Sequence, residues 1–279
     1  MQALLCGAFL AGKVSGICGR ALAVLLQRRR HMRQRKSTVA VTPNRNLTMW
    51  TLHHFPLCPF SRSIRLALGE YAWEVELAEQ RPWAIDHAFL EMNPAGHLPV
   101  LKGPSELRLC GAYAISEYLA DASGRPGPAG KRENTLFPGK AEARAEVRRL
   151  VDWFHRKFDE EAGRCILEEK LYQRYPEARR TPDPELIRLG RDNLRYHLSY
   201  VSYLAHHRDW LAGERISFAD LAAAAHLSVM DYLEEVPWEK YPEAKEWYAR
   251  IKSRPAFRPL LGDRLTVLAP PSHYADLDF

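Results

Sequence analysis

The residues of this chain best suited to chemistry are Cys58 and Ser61, in the run Leu57-Cys58-Pro59-Phe60-Ser61-Arg62. Pro59 reads as a first-turn residue of a helix, with Ile64, Ala67, Leu68 and Tyr71 as its buried stripe. A thiol at a helix N-terminus has its thiolate favoured by the aligned peptide dipoles, which is one way a cysteine becomes a nucleophile. The plainer alternative is a small N-cap residue that only starts the helix. The pairs His53-His54 and His206-His207 have no companion at metal-ligand spacing. They read as surface residues of a strand and a helix end, and no metal site is expected.

These groups need a scaffold, and the surrounding pattern supplies one. Thr51 to Phe55 reads as a first strand and Trp73 to Leu77 as a second. Leu98-Pro99-Val100-Leu101 starts a strand with a proline inside it, which places Pro99 at the strand start, on an edge or in a special turn. Gly103-Pro104-Ser105 is a turn and Leu107 to Cys110 the returning strand. From Gly111 the period becomes helical, with Ile115, Tyr118 and Leu119 on one face. Residues 123–140 are rich in Gly and Pro and read as a linker. Beyond them Val147, Leu150, Val151, Phe154 and Phe158 keep a 3.6-residue period. Asp183-Pro184-Glu185 starts a further helix, with Leu186, Leu189, Leu194, Val201 and Leu204 as its apolar side. Ser217-Phe218-Ala219-Asp220 is a capping box, with Ile216 and Leu221 placed as a hydrophobic staple.

A loop, a proline at a strand start, a hairpin and a helix carrying Ala114-Ile115 and Tyr118-Leu119 together resemble the thioredoxin-like domain of the glutathione S-transferase superfamily. Trp210-Leu211-Ala212-Gly213, the capping box, and the run from Tyr241-Pro242 to Phe257 resemble that family's helical domain. The fold implied is α+β, an N-terminal thioredoxin-like domain followed by an all-α domain. The expected boundaries are a basic extension at 1–48, the thioredoxin-like domain at 49–122, the linker at 123–140, the helical domain at 141–265 and an extended tail at 266–279. The resemblance further implies a cis bond before Pro99, which turns the backbone of Leu98 towards glutathione. It makes Cys58 or Ser61 the group that handles the glutathione thiol. Where the family usually carries Glu-Ser or Gln-Ser to hold the γ-glutamyl end, this chain has Gly111 and Ala112. Each lost charge-assisted hydrogen bond is worth about 1.5–3 kcal/mol, so the glutathione site is expected to be crippled.

Composition narrows the alternatives. The chain has 279 residues and a formal charge of +6. Nine basic residues and no acid lie in 1–48, which leaves about −3 for the rest and argues against a general nucleic-acid surface. The extension itself reads as a targeting segment, as a basic arm for membrane or nucleic acid, or as the product of a start codon placed upstream of Met49. Five cysteines (Cys6, Cys18, Cys58, Cys110 and Cys165), irregularly spaced, point to a reducing compartment. No segment has the apolar length of a membrane span.

Two other stretches look made for partners. Arg81-Pro82-Trp83 puts residue types that anchor interfaces into a polar loop; the alternative for Trp83 is a ring over the domain seam or in the ligand cleft. The ending, with Tyr274, Asp276, Leu277, Asp278 and Phe279, suits an extended peptide that docks in an apolar, basic groove. Taken with Gly111-Ala112, these features resemble the branch of the superfamily that binds the tubulin-like protein FtsZ in alphaproteobacterial cell division. That resemblance implies a cytoplasmic homodimer at the division site, bound to FtsZ and other division proteins, with no cofactor and no transferase activity required. It places Trp83 on the FtsZ-facing surface and the tail, Asp278 above all, at a partner contact. The competing expectation is a glutathione S-transferase or thiol-exchange enzyme with glutathione as co-substrate, acting through Cys58 or Ser61.

Overall fold

The computed structural model describes residues 50–123, 125–126, 132–133 and 136–277. The expectations for residues 1–48, for Asp278 and for Phe279 fall outside them. The chain forms β1 (Thr51–His54), α1 (Pro59–Glu70), β2 (Glu76–Glu79), α2 (His87–Met92), β3 (Val100–Lys102), β4 (Arg108–Cys110) and α3 (Ala112–Ser123). The four strands make one sheet in the order β2-β1-β3-β4, with β1 parallel to β2 and both other pairs antiparallel. Leu52, Val100 and Leu101 of this sheet are fully buried. With α1 and α3 against the sheet, this is the expected thioredoxin-like arrangement.

The second strand begins later than its alternation suggests. The Trp73 N–H bonds to the Leu68 carbonyl at 2.9 Å, closing the end of α1, and the Trp73 ring packs on Trp50 at 5.1 Å. The ladder with β1 therefore starts only at Glu76.

The remainder is helical: α4 (Ala141–Asp152), a more widely wound continuation from Trp153–Gly163, then α5 (Arg164–Lys170), α6 (Pro184–His207), α7 (Phe218–Tyr232), α8 (Pro242–Lys252) and α9 (Arg258–Leu261). Every residue of α7 is buried, as expected of a helix apolar all round. Its start is fixed by the box read from sequence. Asp220 accepts from the Ser217 N–H at 2.9 Å, and also from the Leu211 N–H at 2.8 Å and Trp247 Nε1 at 3.1 Å. On α6, Asp183 caps the Glu185 N–H at 2.9 Å, and Leu194, Val201 and Leu204 are buried. Leu186 and Leu189 are exposed instead, because the first turns of α6 present them to solvent rather than to the core.

Helix α1 packs along α7 and against the turn Pro255–Phe257. A Cβ at Gly69 would lie 2.8 Å from Ala256 Cβ, so only glycine permits this approach. Among the described residues no helix is long and apolar enough to cross a membrane.

Candidate functional site

Between the end of β1 and α1 the chain turns through Phe55 to Cys58, whose N–H bonds to the Phe55 carbonyl at 3.0 Å. Cys58 is the extended N-cap residue, with Pro59 in the first turn. Its thiol is buried, and that burial raises its pKa above the ordinary thiol value. The hydroxyl and amide of Ser61 pull weakly in the other direction. Desolvation penalises the thiolate more than its hydrogen bonds to Ser61 and Phe60 favour it. Burial thus opposes the activation of the thiol that a helix N-terminus alone would favour. Ser61 is itself fully buried.

Opposite this turn, the Leu98-Pro99 bond is cis. The Pro99 carbonyl accepts from the Gly111 N–H at 2.9 Å, which ties β3 to the start of α3. Gly111 has φ +87°, a conformation that glycine adopts without strain. A Cβ there would meet nothing within 4 Å, and Ala112 brings only a methyl group. The N-terminus of α3 therefore offers backbone N–H groups but no side-chain acceptor or hydroxyl at these two positions.

Leu98, Gly111, Ala112 and Cys58 line one side of a cleft of about 440 Å³. The other side comes from the helical domain and carries Asp159, Arg164, Glu168 and Tyr172. Asp159 is only 4% exposed, and its Oδ2 takes Arg164 Nε at 3.1 Å and Nη2 at 2.8 Å. Burial raises the Asp159 and Glu168 carboxyl pKa values, and Arg164 offsets this only in part. The Tyr172 hydroxyl is raised well above its ordinary value, chiefly by burial and then by the neighbouring Cys58, Asp159 and Glu168.

Behind the cleft lies a polar chain that sequence reading missed. Ser63 Oγ is 3.2 Å from His155 Nε2, and His155 Nδ1 is 3.1 Å from His226 Nε2. The His155 ring stacks on Phe60 of the cleft wall at 4.9 Å. Burial lowers the His155 pKa to about 3 and takes His226 well below the usual histidine value, so both rings are neutral. The signal was present in the spacing: His155 follows Val151 by four residues, on the buried stripe. His54 is corrected as well. It is buried rather than on the surface, and its pKa is lowered to about 4, mainly by that burial and next by Arg65. His206 and His207 line a separate open groove of about 550 Å³ with Glu243, Glu246 and Arg250. Among the described residues no group of three metal-ligating side chains comes together.

The partner-type residues are split. Arg81 is exposed, bonded to Glu177 at 3.0 Å and lying over the Tyr175 ring at 5.4 Å. Trp83 is half-buried against Tyr175, Tyr172 and Phe55, with ring centroids 4.3, 4.7 and 5.1 Å away, so its ring covers the seam between the domains. The described part of the tail is not extended throughout. Ser272–Ala275 forms a single 3-10 turn. Tyr274, expected at a partner contact, is fully buried and accepts from Arg62 Nη2 at 2.6 Å. It is therefore an anchor of the tail rather than a surface group. Asp276 and Leu277 are exposed beyond it.

Comparison with known proteins agrees with this architecture. The glutathione S-transferase N-terminal domain family matches residues 52–127, and the C-terminal domain family matches residues 185–255. The chain is 47% identical over 232 residues to FtsZ-localized protein A of Caulobacter vibrioides, covering 82% of this chain and 98% of that one. The crystal structure of a glutathione S-transferase from Sinorhizobium meliloti superposes with a TM-score of 0.78 at 48% identity, covering 83% of this chain and all of that one. FzlA from C. crescentus does so with a TM-score of 0.76 at 45% identity and the same coverage. From its sheet, its helical core and these relatives, the chain belongs to the glutathione S-transferase superfamily.

Proposed function

We propose that this protein is a division protein of glutathione S-transferase fold that associates with FtsZ at the division site and needs no transferase chemistry. The observation that carries the reading is the 47% identity over nearly the whole length of FtsZ-localized protein A. The cleft supports it, since burial raises the pKa of its thiol and Gly111 and Ala112 supply no polar side chain to hold a glutamyl group. In this reading Arg81, Trp83 and the tail beyond Tyr274, through Asp276, Leu277, Asp278 and Phe279, serve the partner contacts, and the protein works as a homodimer. The test is co-sedimentation of the full chain with GTP-assembled FtsZ of the same organism. Pelleting with filaments, lost in the exposed-site variant Arg81→Glu and retained in Cys58→Ala, is the expected result. No pelleting at micromolar concentration would sink it. Trp83→Ala is a poorer probe, because the ring packs on three other aromatic residues.

A second reading, a glutathione-dependent enzyme, draws on the name borne by the Sinorhizobium structure. It requires retention on immobilised glutathione and turnover that Cys58→Ala or Ser61→Ala abolishes.

A further inference from the structure

The charges of the interdomain cleft do not suit an anionic peptide. Arg164 is its cationic side chain from the helical wall, and the Nε and Nη2 of that group are both taken up by one oxygen of Asp159. Glu168 has no cation within ion-pair distance among the described residues, although Arg164 lies one turn before it. Asp159 is 96% buried by the measure of its 4% exposure, and only its Oδ2 is bonded among the described residues. Its other carboxylate oxygen is left for whatever enters the cleft that this residue lines. Across the cavity Gly111 and Ala112 carry no polar side chain, and the space beside Gly111 is open. Phe60, Tyr113 and Tyr172 supply aromatic walls. A protonated amine suits these surroundings. It completes the charge of the carboxylates, and its body lies against ring faces, which attract cations.

We propose that this cleft is a binding site for a small organic cation, an ammonium group on an apolar body, held by Glu168 and the free oxygen of Asp159 against the aromatic walls. Its size fits a compact ligand, since binding clefts of about 300–1,000 Å³ enclose small molecules. Burial is the first cause of the upward displacement of the Glu168, Asp159 and Tyr172 pKa values, and a cation bound beside them would oppose it. The site stands apart from the FtsZ reading and survives or fails without it.

A matched pair of probes tests the proposal: 1-naphthylmethylamine and 1-naphthaleneacetate share a ring system and differ in charge. Both are titrated by calorimetry into the full chain, with glutathione as a third ligand. The amine should bind at least about tenfold more tightly than the acid, the scale of one charge-assisted contact. Glu168→Gln should weaken the amine by about tenfold and narrow the difference between the probes. Asp159→Asn should do the same, with a thermal melt to show that each variant folds; Glu168→Gln removes no ion pair and serves where Asp159→Asn does not fold. Equal binding of the two probes, absence of amine binding, tighter binding of glutathione, or an unchanged amine affinity in folded Glu168→Gln would each overturn the proposal.

Discussion

The first turns of α1 contribute to two regions with different chemistry. At Cys58 and Phe60 the helix forms a wall of the cleft, where burial raises the thiol pKa and the facing hairpin has no polar side chain at Gly111 or Ala112. At Arg62 and Arg65 it meets the C-terminal segment. Arg62 Nη2 reaches the Leu260 carbonyl at 2.9 Å, the Tyr274 hydroxyl at 2.6 Å and Asp263 Oδ2 at 3.3 Å. Arg65 holds Asp263 through both carboxylate oxygens, at 2.8 and 3.0 Å. A few residues along, Lys252 lies near Asp231 at 3.7 Å, and Asp231 also takes Trp238 Nε1 at 2.8 Å. The clasp is rich in buried, matched charge, while the cleft is poor in groups that would hold glutathione. The joint between the domains and the chemistry of the cleft are therefore separable. The chain keeps the polar contacts that fasten its end to α1, which suits a protein whose surface matters more than its thiol.

Breaking the clasp should have the largest effect. Arg62→Met takes from the Tyr274 hydroxyl its buried donor and from Asp263 one of two cations, the bonds from Arg65 remaining, and removal of one member of a buried pair costs about 3–5 kcal/mol. The lower end is expected, because Arg62 Nε and Nη1 are buried without partners and their desolvation is relieved by the change. Urea unfolding reads it directly. A loss below 1 kcal/mol would show that the clasp is incidental.

Acidification should act next, through the histidines behind the cleft. His155 has its pKa lowered to about 3 in the folded protein, whereas the unfolded chain takes up a proton near 6.5. Stability is therefore complete above about pH 7 and is lost as the pH falls through 6.5 towards 3. Between pH 7 and 5.5 one such histidine should account for about 1 kcal/mol. Asp159, Asp220 and Asp231, raised mainly by burial, work in the opposite sense. The difference in slope between the parent protein and His155→Gln cancels them and isolates the histidine. Identical slopes would place that ring in water.

The glutathione side of the cleft can be probed at the start of α3. Ala112→Ser returns a hydroxyl to the first residue of α3, where Ala112 is buried, so the empty protein should lose about 1–3 kcal/mol unless the hydroxyl finds a partner. Affinity for glutathione should rise by about tenfold to a hundredfold, since one new charge-assisted hydrogen bond to the glutamyl carboxylate adds roughly 1.5–3 kcal/mol. Calorimetry with the variant and its parent gives the answer. An unchanged affinity would mean that the missing hydroxyl is not what weakens the site.

Much of this was legible in the residues. The buried stripe of Val147, Leu150, Val151, Phe154 and Phe158 is a pattern of local spacing, and all five are buried. The box at Ser217 and Asp220 joins positions three apart, so its hydrogen bonds form wherever the helix begins. Legibility fell where the deciding neighbour is distant. Trp73 belongs by alternation to a strand, but the ring of Trp50 and the end of α1 claim it. Tyr274 looks like one more apolar residue of an exposed tail until Arg62, 212 positions earlier, takes its hydroxyl.

The sequence by itself determined the alternating and helical segments with their caps and turns, which follow from hydrogen bonding and apolar periodicity over a few residues. The thioredoxin-like sheet followed by helices was what their resemblance to a known family implied. The sequence also determined that positions 111 and 112 carry no polar side chain. Only the tertiary structure decided that burial raises the Cys58 thiol pKa, that His54, His155 and His226 are buried and neutral, and that the tail is clasped at Tyr274. A charge state depends on how much water and which charges surround a group, and in a folded chain those are set by residues far away along it.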